Sequence, residues 1–254
     1  MSNAENTKDG EQSFLSHLIE LRTRLLKAVA VVLVILIALI PLANKLYGWL
    51  AKPLLDHLPA GGAMIATDVA SPFFAPLKLA FFVAVFIAMP FILFQGWSFV
   101  SPGLYKHERR LAIPLLASSV MLFYIGCAFA YFLVLPAVFT FMTSVAPEGV
   151  AVMPDISRFL DFALVLFLAF GLCFEVPVAM VILVAIGAAT PETLVKSRPY
   201  TTVGAFVIAA VLTPPDVISQ LLLAIPMCLL YEVGILASRM LRKRVTDEQS
   251  TPAA

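Results

Sequence analysis

Between Leu111 and Met142 the chain runs for 32 residues without one charged side chain. About 20 apolar residues of helix suffice to cross the hydrocarbon of a bilayer, so a run of this length reads as membrane-spanning. It also restricts the backbone. In hydrocarbon every N–H and C=O must be satisfied within the protein, which only helices and closed barrels achieve. The composition agrees, with 61% hydrophobic and 13% charged residues and a mean hydropathy of +0.97. The fold class that follows is an all-α integral membrane protein with six transmembrane helices, at about 25–43, 73–94, 112–135, 159–187, 200–212 and 217–237. Spans five and six are the short ones. The fifth, at thirteen residues, makes about 20 Å of helix against about 30 Å of hydrocarbon, which implies local thinning or packing behind its neighbours.

Around the spans the chain divides simply. Residues 1–12 are polar and read as a disordered cytoplasmic start, 13–244 as one six-span membrane domain, and 245–254 as a disordered cytoplasmic tail. Ser13 is placed to cap a helix whose apolar face is Phe14, Leu18, Leu21 and Leu25. The opposite face carries His17, Glu20 and Arg24, flanked by Arg22. In the loop 44–71, the segment around Tyr47 and Trp49 reads as a short interfacial helix with both rings at headgroup depth. Lys78, near one end of span two, is expected to reach back to the interface. Pro136 is expected to end or bend span three, leaving 137–145 to a loop.

Charge placement orients the spans. Thirteen Lys and Arg fall in the N-terminal segment, the loops after spans two and four, and the tail, against three in the remaining loops. Positive charge accumulates on the cytoplasmic side, so both termini and the 94–110 loop are expected there. That loop, FQGWSFVSPGLYKHERR, interrupts two apolar runs with turn residues and charge, as a recognition segment would.

Motifs for catalysis are missing. His107-Glu108 does not continue to a second histidine, no G-x-S-x-G elbow is present, and no acidic cluster has metal spacing. Cys127, Cys173 and Cys228 all sit in apolar runs, where a thiol behaves as a small hydrophobe. No enzyme activity, cofactor, metal or nucleic-acid partner is expected. What remains is three carboxylates: Glu20 and Glu108 at the surface and Glu175 inside span four. A carboxylate at that depth costs kilocalories unless it is protonated, paired or facing a wet cavity. Glu175 could serve a proton-coupled transporter of a small solute, or a concave polar patch that receives another polypeptide. Glu20 could equally be an intrahelical partner of Arg24.

Four segments in order, HLIELRTRL at 17–25, SFVSPGLYKHERR at 98–110, FGLCFEVPV at 170–178 and TPPDVISQ at 213–220, resemble the signature segments of the TatC family, the receptor subunit of the twin-arginine protein translocase. The resemblance implies six spans, both termini cytoplasmic, and binding of twin-arginine signal peptides of folded precursors. It further implies assembly, in several copies within the complex, with single-span partners of the TatA and TatB kind. Carried onto this chain, Glu20 and Glu108 would contact the paired arginines, with Arg22 and Phe99 shaping the surface. Glu175 would line a concave membrane-buried face, and Thr213 and Gln220 a partner-docking edge.

Overall fold

The computed structural model describes residues 2–55, 64–100, 112–145, 153–212 and 217–250. Among them the ordered elements are helical: α1 (Ser2–Leu39), a 3-10 turn (Ile40–Leu42), α2 (Ala43–Leu55), α3 (Ser71–Val100), α4 (Ala112–Phe129), a π-helical turn (Ala130–Val134), α5 (Leu135–Ser144), α6 (Ile156–Ala185), α7 (Pro191–Lys196), α8 (Arg198–Leu212) and α9 (Val217–Ser250). A single bridge between Ile65 and Asp155 is the β pairing among these residues. Five helical runs, Ile19–Lys52, Ser71–Ser98, Ile113–Ser144, Ile156–Ala185 and Gln220–Met240, are long and apolar enough to cross a membrane, and α8 is a shorter apolar helix.

The bundle is built around α6. It packs most extensively against α4 on one side and α9 on the other, while α1 lies on α3 and α8 on α9. Phe170, Leu160 and Leu166 of α6 are fully buried and share one core with Val134 of the π-turn and Leu135 and Val138 of α5. Lipid-like exposure is the rule on the outside: Val34, Ile37, Phe73 and Phe132 are among the exposed large hydrophobics.

In an apolar solvent helices gain little from burying apolar area, so close packing has to hold them. Glycines provide it here. A Cβ on Gly126 of α4 would lie 2.6 Å from the carbonyl oxygen of Phe170, and one on Gly171 of α6 would lie 2.6 Å from the Phe123 ring. On the other flank a Cβ on Gly234 of α9 would press into Met180 Sδ and lie 3.1 Å from Pro177 Cα.

One end of the bundle, here the cap end, is closed by the 64–71 segment. Ile65 N–H donates to the Pro154 carbonyl and Ile156 N–H to the Ile65 carbonyl. Asp155 caps α6 by accepting from the backbone N–H groups of Ser157 and Arg158, and its other oxygen accepts from the Thr67 hydroxyl at 2.7 Å and the Thr67 N–H at 2.9 Å. The Thr67 hydroxyl, then the Arg158 and Thr67 amides, hold this carboxyl well below the usual carboxylate range.

Several expectations move. Residues 2–12 continue α1 in place of a disordered start, and Ser13 is a helix-interior residue instead of a cap; Glu5, Lys8, Glu11 and Gln12 are good helix formers. Likewise α9 extends through 245–250. The loop expected from Phe94 is helical as far as Val100, because Trp97 is buried there. Span three does not stop at Pro136: α5 carries on to Ser144 across the π-turn. Proline lacks an N–H and crowds the carbonyl four residues back, and a wider turn accommodates both. Tyr47 is buried within the protein, its hydroxyl donating to the Ile156 carbonyl at 3.0 Å, whereas Trp49 is exposed.

Two outcomes follow. Gly126→Ala forces backbone apart and is expected to destabilise by about 1–3 kcal/mol, whereas Gly204→Ala, with open space around its Cβ, is expected to be neutral or stabilising by up to about 1 kcal/mol; thermal melts in detergent compare them. For Asp155 the depressed folded-state pKa means that its stabilisation is complete above the unfolded value of about 3.9 and is lost as pH falls through the folded value. Asp155→Asn should therefore melt below wild type at pH 7, with the gap narrowing below about pH 4 in a melting series across pH.

Candidate functional site

At the end opposite the cap, α1 begins its apolar run where α3 finishes. Arg24 joins them. Its Nη2 and Nε donate to Glu20 Oε1 at 2.5 and 3.0 Å, its Nη1 to Gln95 Oε1 at 3.3 Å, and Nη2 again to the Ser98 carbonyl at 3.3 Å. The four-residue spacing puts Glu20 and Arg24 on one face of α1, with the acid N-terminal to the base, the favourable order. The intrahelical pairing open in the sequence is thus present, and the same guanidinium also ties α1 to α3. Glu20 remains 40% exposed. Arg22 is exposed and outside this cluster. Phe99 lies in the last turn of α3. Glu108 lies outside the described residues, as does Thr213.

Deeper in the bundle, Glu175 of α6 accepts a hydrogen bond from the Ser119 hydroxyl of α4. Its other oxygen, Oε1, is buried without a hydrogen-bond partner among the described residues. Glu175 is ten residues from the C-terminal end of α6, about 15 Å along the axis. The glycine contacts explain how a serine hydroxyl, one of the shortest polar side chains, reaches it. Ser119 and Gly126 are seven residues apart and share a face of α4, so the close approach at Gly126 also draws Ser119 onto α6. Gln220, assigned to a docking edge, donates to the Phe206 carbonyl at 3.1 Å and links α9 to α8. Farther along the same pair, Arg198 meets Glu232 at 2.6 Å.

Sequence reading missed two partners. Ser119 was one of two serines in an apolar run, and only the α4–α6 register identifies which faces Glu175. Asp161 stands inside the fourth span, and its pairing with Lys78 adds a partner to the expectation that Lys78 reaches back to the interface. The signal was available as a second charge in span four, close to its start as Lys78 is to that of span two.

The profile of the family described as Sec-independent protein translocase protein (TatC) matches residues 16–226. The chain belongs to the TatC family. The TatC protein of Haemophilus influenzae is 51% identical over 95% of this chain and 94% of that relative, and the TatC protein of Escherichia coli K12 is 56% identical over 90% and 88%. Among solved structures, a crystal structure described as twin arginine translocase receptor TatC superposes with a TM-score of 0.78 at 38% identity, covering 88% of this chain and 98% of that one. The chain is therefore a component of the Sec-independent Tat protein translocase, with a TatC-like helical fold and several membrane-crossing helices. The family is one of protein transport components, not of enzymes.

The Ser119 contact has a measurable cost. Ser119→Ala leaves the Glu175 carboxyl without its donor and should destabilise by about 1–3 kcal/mol, while Ser119→Ala combined with Glu175→Leu, which removes both polar partners, should recover most of the loss in thermal melts.

Proposed function

We propose that this chain is the receptor of its translocase, crossing the bacterial inner membrane six times, α8 included, with both termini in the cytoplasm. Residues 13–244 form the membrane domain. At its cytoplasmic face Glu20 and Glu108 read the paired arginines of a signal peptide, with Arg22 and Phe99 shaping the surface around them. Glu175 lines a concave, membrane-buried face that receives the following part of the peptide. Thr213 and Gln220 belong to an edge of α8 and α9 where TatA- and TatB-type single-span partners dock, and several copies assemble in the complex.

The observation that carries this reading is the Arg24 contact. It sets a half-exposed carboxylate, Glu20, beside the end of α3, from which the chain proceeds towards Glu108. Guanidinium is a planar fork of donors that a carboxylate accepts in a fixed geometry, whereas an ammonium is a compact point charge. Arg24 places both Nε and Nη2 on one oxygen of Glu20, Oε1, so an incoming arginine is offered the other. The membership of the family, and the description of its solved structure as a twin-arginine translocase receptor, support the same assignment. The alternative, a proton-coupled solute transporter relaying through Glu175, finds no support in the family.

Binding of a fluorescent twin-arginine peptide to the reconstituted chain tests it. Glu20→Gln and Glu108→Gln should each weaken binding by about tenfold or more, the loss of a charge-assisted hydrogen bond. A twin-lysine peptide should compete poorly. Undiminished binding by both variants would defeat the reading.

A further inference from the structure

Near the cap end, α1, α3 and α6 frame a cleft of about 690 Å³, walled by Leu36 of α1, Ile40 of the 3-10 turn, Phe74 and Phe81 of α3 and Leu160 of α6. Its volume is in the range of small-molecule sites, about 300–1,000 Å³. At its rim lie Lys78 and Asp161, joined through Nζ and Oδ1. Their side chains are 55% and 54% exposed, although both stand on apolar spanning helices.

Depth defines what surrounds them. Lys78 is seven residues into α3 and Asp161 five into α6, about 10 and 7 Å along the axes. Headgroup regions add roughly 5–8 Å to each side of the hydrocarbon, so with the first residues of α3 and α6 at the outer edge of the headgroups the pair stands where headgroup gives way to acyl chain. A fully exposed pair would be nearly worthless in water; at this depth its unused donors and acceptors need polar partners. The ammonium has three donors and Asp161 takes one, while the carboxylate keeps lone pairs of its own.

We propose that this cleft binds a zwitterionic aminophospholipid, phosphatidylethanolamine in its chemistry. The acceptor-only phosphodiester meets Lys78, the primary ammonium donates to Asp161, and an acyl chain lies along the apolar walls. Charge complementarity selects the headgroup. A glycerol headgroup offers no cation to Asp161, and a choline headgroup carries no N–H to donate. A partner helix seated here would shut both charges away from headgroups, at a cost of several kcal/mol, so lipid is the favoured occupant. The inference rests on placement in a bilayer and not on signal-peptide binding.

Native mass spectrometry of the full chain, released from nanodiscs of equal phosphatidylethanolamine, phosphatidylglycerol and phosphatidylcholine, reads the retained lipid. Wild type should retain phosphatidylethanolamine about fivefold over either competitor, a ratio set by about 1 kcal/mol of differential affinity. Asp161→Asn leaves an unopposed Lys78 and should shift retention to phosphatidylglycerol. Lys78→Asp combined with Asp161→Lys should restore the ethanolamine preference, which separates recognition from a folding defect. Equal retention of the three lipids by wild type, unchanged selectivity in Asp161→Asn, or capture of a TatA- or TatB-type helix by a photo-crosslinker at Phe81 with no lipid retained, would each overturn the proposal.

Discussion

The α4–α6 contact is the interaction on which the remaining structure depends. Where the solvent is hydrocarbon, two helices adhere through how closely their backbones approach, and that is set by the residues without side chains. Gly126 and Gly171 place α4 against α6, and Gly234 does the same for α9. With α6 held between them, its other groups have no choice of neighbour. Ser119 meets Glu175, Cys127 donates to the Phe167 carbonyl, and the fully buried Phe170 fills the middle. Helices α3 and α8 pack their apolar faces into the same core and add individual polar links, such as Tyr124 to the Phe86 carbonyl and Gln220 to the Phe206 carbonyl.

Apolar length was legible in the sequence because a bilayer imposes it directly: among the described residues five helical runs are long and apolar enough to cross a membrane. Where each run ends was not. Phe94–Val100 looks like a loop by its Gly, Ser and Gln, yet Arg24, more than seventy positions upstream, binds Gln95 and the Ser98 carbonyl and Trp97 is buried. Pro136 looks like a stop because local rules treat proline as one; the π-turn that accommodates it forms against a partner helix. Tyr47 carries the composition of an interface residue, and only the return of the chain at Ile156 gives its hydroxyl a buried acceptor. These are all decisions made by contacts distant in sequence.

The candidate site divides in the same way. Glu20 and Glu175 were visible as carboxylates out of place. Their neighbours were not, since Gln95, Ser98 and Ser119 are unremarkable residue types whose roles depend on register. Asp161 was hidden for a different reason: one carboxylate scarcely lowers the hydropathy of a thirty-residue run, and its meaning comes from Lys78, 83 positions away. Charges buried in apolar segments are better read in pairs than singly.

The π-turn at Ala130–Val134 makes the third pass two half-helices with separately set phases. A straight helix advances about 100° per residue and drifts off any fixed partner over such a length. The wide turn separates the half in which Phe123, Gly126 and Cys127 close on α6 from the half in which Phe139 does. The third pass thus meets α6 twice with different chemistry, through the Ser119–Glu175 hydrogen bond in its first half and through the Phe139 ring against Phe159 and Phe162 in its second.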